Sequence, residues 1–419
     1  MTPPTPRELR TSRAHQLTEA LSALPDTADP AALSRVRASH PEIDPGLIAA
    51  LATQVRLQRR ARDRLGAWAE DMILEEEALQ QATRRDVARY RAGRLAERLG
   101  AGSPLAGSTV ADIGCGLGVD ARALAEAGFT VLAFERDTWR AEAAEINLAA
   151  WGERVQVLCE DATSVDRTIL DECDAAYVDP ARRTAGGPRR IDGGRSRAVT
   201  SPEAWSPPWP WVVDLAARLP VIAKVAPGFD ARQAPEGADL EWIDDRGDTV
   251  EVTAWLGALG HGMSRATALE GSRWESIEAE RTSTADVGAS TSQAGNVLLE
   301  PTPAVIRAHL VGELAAQLGA ARLDGGTWLT AADPGGSLLA HAWRILVELP
   351  HATGDLRTWL RGHGSVTWKT SDTSASASDW DRRVGHRPSR EGHAVTIVIT
   401  GQGRAFAVEP IRNESASER

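Results

Sequence analysis

The stretch Thr109 to Asp120, TVADIGCGLGVD, constrains this chain more than any other. Val110, Ala111 and Ile113 have the apolar character of a buried strand, and Gly114, Gly116 and Gly118 follow at a spacing of two. Ala121 to Ala127, ARALAEA, then reads as a helix that Gly128 stops. A glycine turn between a strand's carboxyl end and a helix's amino end is where open α/β sheets bind ligands. The dinucleotide fingerprint G-x-G-x-x-G is not met, because Val119 stands three residues after Gly116. Asp112, two residues before the first glycine, would repel a pyrophosphate and suits a cationic ligand.

The next strand, FTVLAFE (residues 129 to 135), ends in Glu135, a carboxylate able to grip the two hydroxyls of a ribose. Together these stretches resemble the first and second motifs of class I S-adenosylmethionine-dependent methyltransferases. The resemblance implies that Asp112, Gly114, Gly116, Gly118 and Glu135 surround that cofactor. The alternative is a glycine turn that only lets a strand and a helix pack closely.

Further strands are expected at VQVLCEDA (155 to 162), DAAYVDPARR (174 to 183), PVIAKVAPG (220 to 228), LEWID (240 to 244) and DTVEVTAWLG (248 to 257). With helices between the earlier members, the fold class is α/β, a Rossmann-like seven-stranded sheet whose last pair is an antiparallel hairpin. Asp161 stands just past the third strand; the methyltransferase resemblance gives it the adenine amine, and the alternative is a helix cap. Residues 1 to 100 have no strand-like alternation and read as helices punctuated at Pro25, Pro30, Pro41 and Pro45. Thr83 with Asp86 is a capping-box-like start to DVARYRAGRLAER. Its arginines 85, 89, 91, 94 and 98 form either a solvated face or a surface near the substrate entrance.

The expected division is a helical region at 1–100, a catalytic domain at 101–262, a linker at 263–293, a second α+β domain at 294–412 and a disordered tail at 413–419. The linker is inferred from Ser, Thr, Ala and Gly around RTSTADVGASTSQAG. The second domain opens with a helix over about Ala304 to Leu318, carries the polar insert KTSDTSASASDWD, and closes in a hairpin, HAVTIVIT and AFAVEP.

The fourth strand ends in Asp179-Pro180-Ala181-Arg182-Arg183, where methyltransferases of nucleobase amines carry an acid-Pro-Pro-aromatic motif. A carboxylate and a proline carbonyl can accept the two hydrogens of an exocyclic amine and aim its lone pair, which gives Asp179 and Pro180 the catalytic role. Ala181 replaces the second proline, and Arg182 stands where an aromatic ring would stack, a task a guanidinium plane can also perform. Beyond lies RRTAGGPRRIDGGRSR, with six arginines against one aspartate. Arg182, Arg183, Arg189, Arg190 and Arg195 are candidates for a phosphate clamp on RNA, or else part of a plain surface loop. Lys224, at the end of the fifth strand, faces the same edge and is a partner for Asp179 or a phosphate. Trp205, Trp209 and Trp211 are either stacking faces or core and lid packing.

The chain has 419 residues, 42% of them hydrophobic, and a net charge of −11, so any contact with nucleic acid must be a local basic patch. Lys224 and Lys369 are the two lysines among 47 basic residues. Cys115, Cys159 and Cys173 lack ligand-like spacing, so neither disulfides nor metal are expected. There is no signal-like apolar core and no long apolar run, and a cytoplasmic protein is expected.

QQATRRDVARYRAGRL, DIGCGLGVD, YVDPARR, AKVAPGFD and LLEPTPAVIRAHLVGEL together resemble a bacterial family of class I methyltransferases with a C-terminal THUMP-like domain. That family is distantly similar to trimethylguanosine synthase-type RNA methyltransferases, and the resemblance spans roughly residues 75 to 412. It implies S-adenosylmethionine as cofactor and RNA as substrate. The segment GHGSVTWKTSDTSASASD is nearly uncharged where the family carries a basic one. Two other classes stay open: methylation of a small acidic metabolite or a protein, and a non-catalytic module that binds S-adenosylmethionine and RNA.

Overall fold

A computed structural model describes residues 4–100, 107–181, 201–281, 289–350, 352–370 and 375–411. The expected arginine loop, with Arg182, Arg183, Arg189, Arg190 and Arg195, lies outside the described residues, as does the tail at 413–419. The chain divides into two compact units. The first comprises residues 1–225, 232–238 and 254–261, and the second holds the remainder.

The first unit begins with helices Ser12–Ser22, Pro30–Ser39 and Pro45–Leu65, followed by the shorter Glu76–Gln81 and Arg85–Gly100. Pro30 and Pro45 start helices, each preceded by an aspartate, Asp29 or Asp44, whose side chain accepts from a first-turn amide. Strands β1 (Thr109–Ile113), β2 (Thr130–Phe134), β3 (Val155–Leu158), β4 (Ala175–Val178) and β5 (Val221–Val225) follow. They run in the order β3-β2-β1-β4-β5, each neighbouring pair parallel. Residues such as Leu51, Val55, Leu65, Trp68 and Leu95 from the helices share one core with Val110, Val131 and Tyr177 from the strands. The helical segment is therefore continuous with the sheet's own core, through burial that a polar-looking helix such as Arg85–Gly100 does not advertise.

In the second unit β6 (Asp239–Asp245) leads through Arg246 and Gly247, at φ of 55° and 88°, into β7 (Asp248–Leu256), whose last residues return to the first unit. Positive φ at both turn positions is the signature of a tight hairpin. β8 (Met263–Glu270) and β9 (Arg273–Glu280) form an antiparallel pair, and β8 runs parallel to β6. The first sheet accordingly has nine strands where seven were expected. Residues 263–280, read as linker, are this hairpin, with Gly271 at φ 63° in its turn. Small residues hide the pattern: Ala266 and Ala268 are buried strand positions, yet in composition they resemble a spacer.

The second sheet holds β10 (Ser290–Thr291), β11 (Val297–Pro301), β12 (Ala321–Leu323), β13 (Leu329–Ala331), β14 (Ala340–Leu349), β15 (Val366–Thr370), β16 (Val395–Ile399) and β17 (Ala405–Pro410). Their order is β10-β12-β13-β11-β14-β17-β16-β15, and the expected hairpin is β16 with β17. The helix expected over 304–318 is two, Pro303–Arg307 and Val311–Gln317. His309 adopts φ 60° between them and the Leu310 amide returns to the Val305 carbonyl, a C-terminal cap made without glycine.

Asn147 ties the helical segment to the glycine turn. Its amide oxygen accepts from Ile73 N at 2.7 Å, and its nitrogen donates to the carbonyls of Ile73 at 3.1 Å and Leu117 at 3.0 Å. Asn147→Leu keeps the volume but strands those backbone groups in a buried place, and should cost about 2–4 kcal/mol in a urea unfolding titration. An unchanged midpoint would show that the tie does not stabilise the unit.

Candidate functional site

In the parallel array, chain order departs to β2 and β3 on one side of β1 and to β5 on the far side of β4. The crevice beyond the carboxyl ends of β1 and β4 is the switch point where such sheets hold ligands. The glycine turn and the Asp179-Pro180 corner both emerge there.

Gly114, Gly116 and Gly118 all have positive φ, at 81°, 56° and 84°. Two of them are also packed. A Cβ on Gly114 would stand 3.2 Å from the Asp179 carbonyl oxygen, and one on Gly118 would stand 2.7 Å from Leu148 Cδ1. Gly116 faces open space, with nothing within 4 Å of a built Cβ. The turn is strapped to the end of β2, since the amides of Gly114 and Cys115 donate to the Phe134 carbonyl. Glu135 completes the strap: Oε2 accepts from Gly116 N at 3.0 Å and Oε1 from Asp137 N at 2.8 Å. Each carboxylate oxygen retains a further lone pair for a hydroxyl donor.

Asp112 is fully buried, and among the described residues neither of its oxygens has a hydrogen bond of good geometry. Burial, then the neighbouring Asp120 and Asp179 carboxylates, push its carboxyl well above the ordinary range, against Arg91 and the Ala121 amide. The buried Cys115 thiol is raised by the same surroundings, by burial first and then by Asp112, Glu135 and Asp120. The crevice is therefore an acidic field with one carboxyl held uncompensated, a setting that favours a positively charged ligand.

Lys224, 5% exposed on β5, donates to three oxygens: Asp179 Oδ2 at 2.9 Å, Thr83 Oγ1 at 3.1 Å and the Gln81 carbonyl at 3.2 Å. The Thr83 hydroxyl donates a hydrogen bond to Asp120 Oδ2 at 2.9 Å, and Arg91 holds the other oxygen of Asp120. The Arg91 guanidinium lies 4.3 Å from the centre of the Tyr177 ring on β4. Of Lys224's two expected partners, Asp179 is the one it meets. Thr83, Asp120 and Gln81 were not singled out as site residues from sequence. Thr83 looked like a helix cap, and only Asp120's place directly after the glycine turn could have marked it.

Asp161 serves its own turn. Its Oδ1 accepts from the Thr163 hydroxyl at 2.7 Å and amide at 2.9 Å, which hold its carboxyl below the usual range, with Arg136 3.9 Å from Oδ2. Arg136 also donates to Ser206 Oγ, and Ser206 bridges to Ala181. Pro180 is buried. Trp205 and Trp209 are buried edge to face, 6.1 Å apart at 73°, and so belong to the core rather than to a stacking surface. Of the expected arginine face, Arg94 and Arg98 lie over the Trp255 ring at 5.0 and 4.8 Å, Arg91 is buried on Asp120, and Arg89 is exposed, so the five do not form one solvated face.

Comparison with known proteins gives the family. The chain matches no family model. Two curated proteins of Mycobacterium tuberculosis, from strains CDC 1551 and H37Rv, are each named an uncharacterized S-adenosylmethionine-dependent methyltransferase. Both are 31% identical to it over 279 residues, covering 64% of this chain and 69% of the relative. Among solved structures, a candidate methyltransferase from Porphyromonas gingivalis W83 superposes with a TM-score of 0.72. It is 18% identical, the match covers 95% of this chain and 98% of the other, and the likeness concerns the fold. This chain belongs to the S-adenosylmethionine-dependent methyltransferases, and S-adenosylmethionine is its methyl donor.

Proposed function

We propose that the methyl acceptor is an exocyclic amine of a nucleobase in RNA. The observation that carries this reading is the Asp179-Pro180 corner, seated against Gly114 and fixed by Lys224. S-adenosylmethionine, when bound, supplies a methyl group made electrophilic by a positive sulfur. The buried Asp112, without a hydrogen bond of good geometry among the described residues, and the open side of Gly116 fit such a cationic group, and Glu135 offers its remaining lone pairs to the ribose hydroxyls. In this reading Asp112, Gly114, Gly116, Gly118 and Glu135 surround the cofactor, and Asp161 faces the adenine from its turn.

On the acceptor side, Lys224 occupies Asp179 Oδ2, which leaves Oδ1 and the Pro180 carbonyl to receive the two amine hydrogens. Such a pair orients the lone pair without a strong base, and transfer becomes chiefly a matter of alignment. The arginine loop supplies phosphate contacts, and residues 294–412 act as a THUMP-like domain that presents RNA. Support for these two parts is the motif resemblance to enzymes distantly similar to the trimethylguanosine synthase type. Labelled methyl donor incubated with total RNA from a deletion strain tests the reading directly. Label in a nucleoside missing from that strain supports it, whereas label confined to protein or a small-molecule extract overturns it.

Asp179→Ala should lower turnover by orders of magnitude and leave RNA affinity nearly unchanged, measured by single-turnover kinetics beside filter binding. Neutralising Arg189, Arg190 and Arg195 together should do the opposite, weakening binding and flattening its salt dependence by up to about one slope unit per lost phosphate contact. An unchanged slope would reduce the loop to plain surface.

Asp112 sets a pH dependence. Because its carboxyl is raised in the folded state, the stability linked to it is present in acid and is lost as pH rises above the ordinary carboxylate range. A bound cation draws the proton off, so S-adenosylmethionine should bind more tightly with rising pH until the free protein's Asp112 is ionised. Calorimetry in two buffers of different ionisation heat should detect the released proton, and Asp112→Asn should abolish both the release and the slope.

A further inference from the structure

Lys224 meets Asp179 through one carboxylate oxygen, Oδ2, and not through the other. The chain's second lysine shows the contrast. Among the described residues Lys369 donates to no acceptor but Glu300, and there it spans both carboxylate oxygens, at 2.9 and 2.8 Å. An ammonium carries three donors and a carboxylate two acceptor oxygens, so a lysine with no other acceptor covers both. Lys224 has its three donors matched by three separate groups: Asp179 Oδ2, Thr83 Oγ1 and the Gln81 carbonyl. Gln81 ends the helix Glu76–Gln81, where carbonyls lack an intrahelical partner.

Thr83 is able to accept from Lys224 because its own hydrogen is committed elsewhere. A hydroxyl carries one hydrogen and two lone pairs. That hydrogen goes to Asp120 Oδ2 at 2.9 Å, and Arg91 holds the other oxygen of Asp120, so the lone pairs of Thr83 are left for the ammonium 3.1 Å away. Thr83 is 3% exposed. Valine has nearly the same size, so it would remove this acceptor without making room for a water to replace it. One N–H of Lys224 would then be released, and the carboxylate it already touches offers a second oxygen, Oδ1.

We propose that Thr83, locked by Asp120, is a positioning residue for methyl transfer: it draws one N–H of Lys224 away from Asp179, so that Oδ1 stays open to the methyl acceptor. The inference rests on the reading above of Asp179 as the group that holds the acceptor amine. It gives the helical segment a part in the reaction that is separate from its packing.

Two measurements on the full chain test it. Lys224 and Lys369 are the two lysines, so protein labelled with ε-15N-lysine gives two ammonium signals, and Lys369→Gln tells them apart. Thr83→Val should shift the Lys224 signal, and Thr83→Ser should return it toward the wild-type position. For transfer, labelled methyl donor is supplied in single turnover to a whole extract of the deletion strain, with RNA, protein and small molecules together. Thr83→Val should lower the rate about ten- to a hundredfold, while affinity for S-adenosylhomocysteine and the half-saturating amount of extract stay within about twofold. Thr83→Ser should recover most of the loss. Thr83→Ala, which packs even where valine does not, should also be slowed severalfold.

A Lys224 signal unmoved by Thr83→Val, a full rate with Thr83→Val or Thr83→Ala, or Thr83→Ser as slow as Thr83→Val overturns the proposal. If Asp179→Ala is inactive while Thr83→Val transfers normally, the positioning role fails and the Asp179 reading stands. If Asp179→Ala transfers at the wild-type rate, the Asp179 reading fails and takes the positioning role with it. Because the extract holds every class of acceptor, the fraction that takes up label decides between RNA, protein and metabolite independently of Thr83.

Discussion

The ammonium of Lys224 is the charge around which the catalytic edge is arranged. It sits on a strand whose residues are all buried, VIAKV, where an uncompensated charge would cost several kcal/mol. Gln81 and Thr83 from the helical segment and Asp179 from β4 supply its acceptors, and each is thereby fixed in place. The same contact that satisfies the lysine occupies one oxygen of Asp179, Oδ2.

Around that ammonium the crevice is acidic, and the two kinds of charge are kept in separate places. Asp179 and Asp120 are paired with Lys224 and Arg91, while Asp112 is buried beside carboxylates and, among the described residues, has no hydrogen bond of good geometry. Glu135 is spent twice on backbone amides, which freezes its orientation before any hydroxyl arrives. A site with some anions neutralised and another left uncompensated favours a cation over a neutral ligand.

The glycine turn, the five parallel strands and the acid at the end of β2 were legible because each depends on local rules, namely apolar runs, glycine spacing and a terminal carboxylate. The Lys224 triad was only half legible: Asp179 follows from its strand-end position, but Gln81 and Thr83 contribute a carbonyl and a hydroxyl that no pattern singles out. Arg91 and Arg94 illustrate the limit from the other side. Their helix looks solvated, yet both are buried against Tyr177 and Trp255 because guanidinium groups lie flat on aromatic faces. The β8–β9 hairpin was lost to composition, since alanine and threonine serve equally in a spacer and in a close-packed strand. Asp161 bonds to its own turn in the structure, where the resemblance reads it as a cofactor residue.

The contacts of Lys224 also order events in time. The ammonium meets Gln81 and Thr83 across 143 and 141 residues of chain, so the oxygens are synthesised long before the group that gathers them. Closing so wide a loop is entropically costly and slow, and nothing local rewards it on the way. The carboxylate-rich edge therefore cannot acquire its ammonium until β5 has been synthesised, and its set of contacts is completed late in the chain.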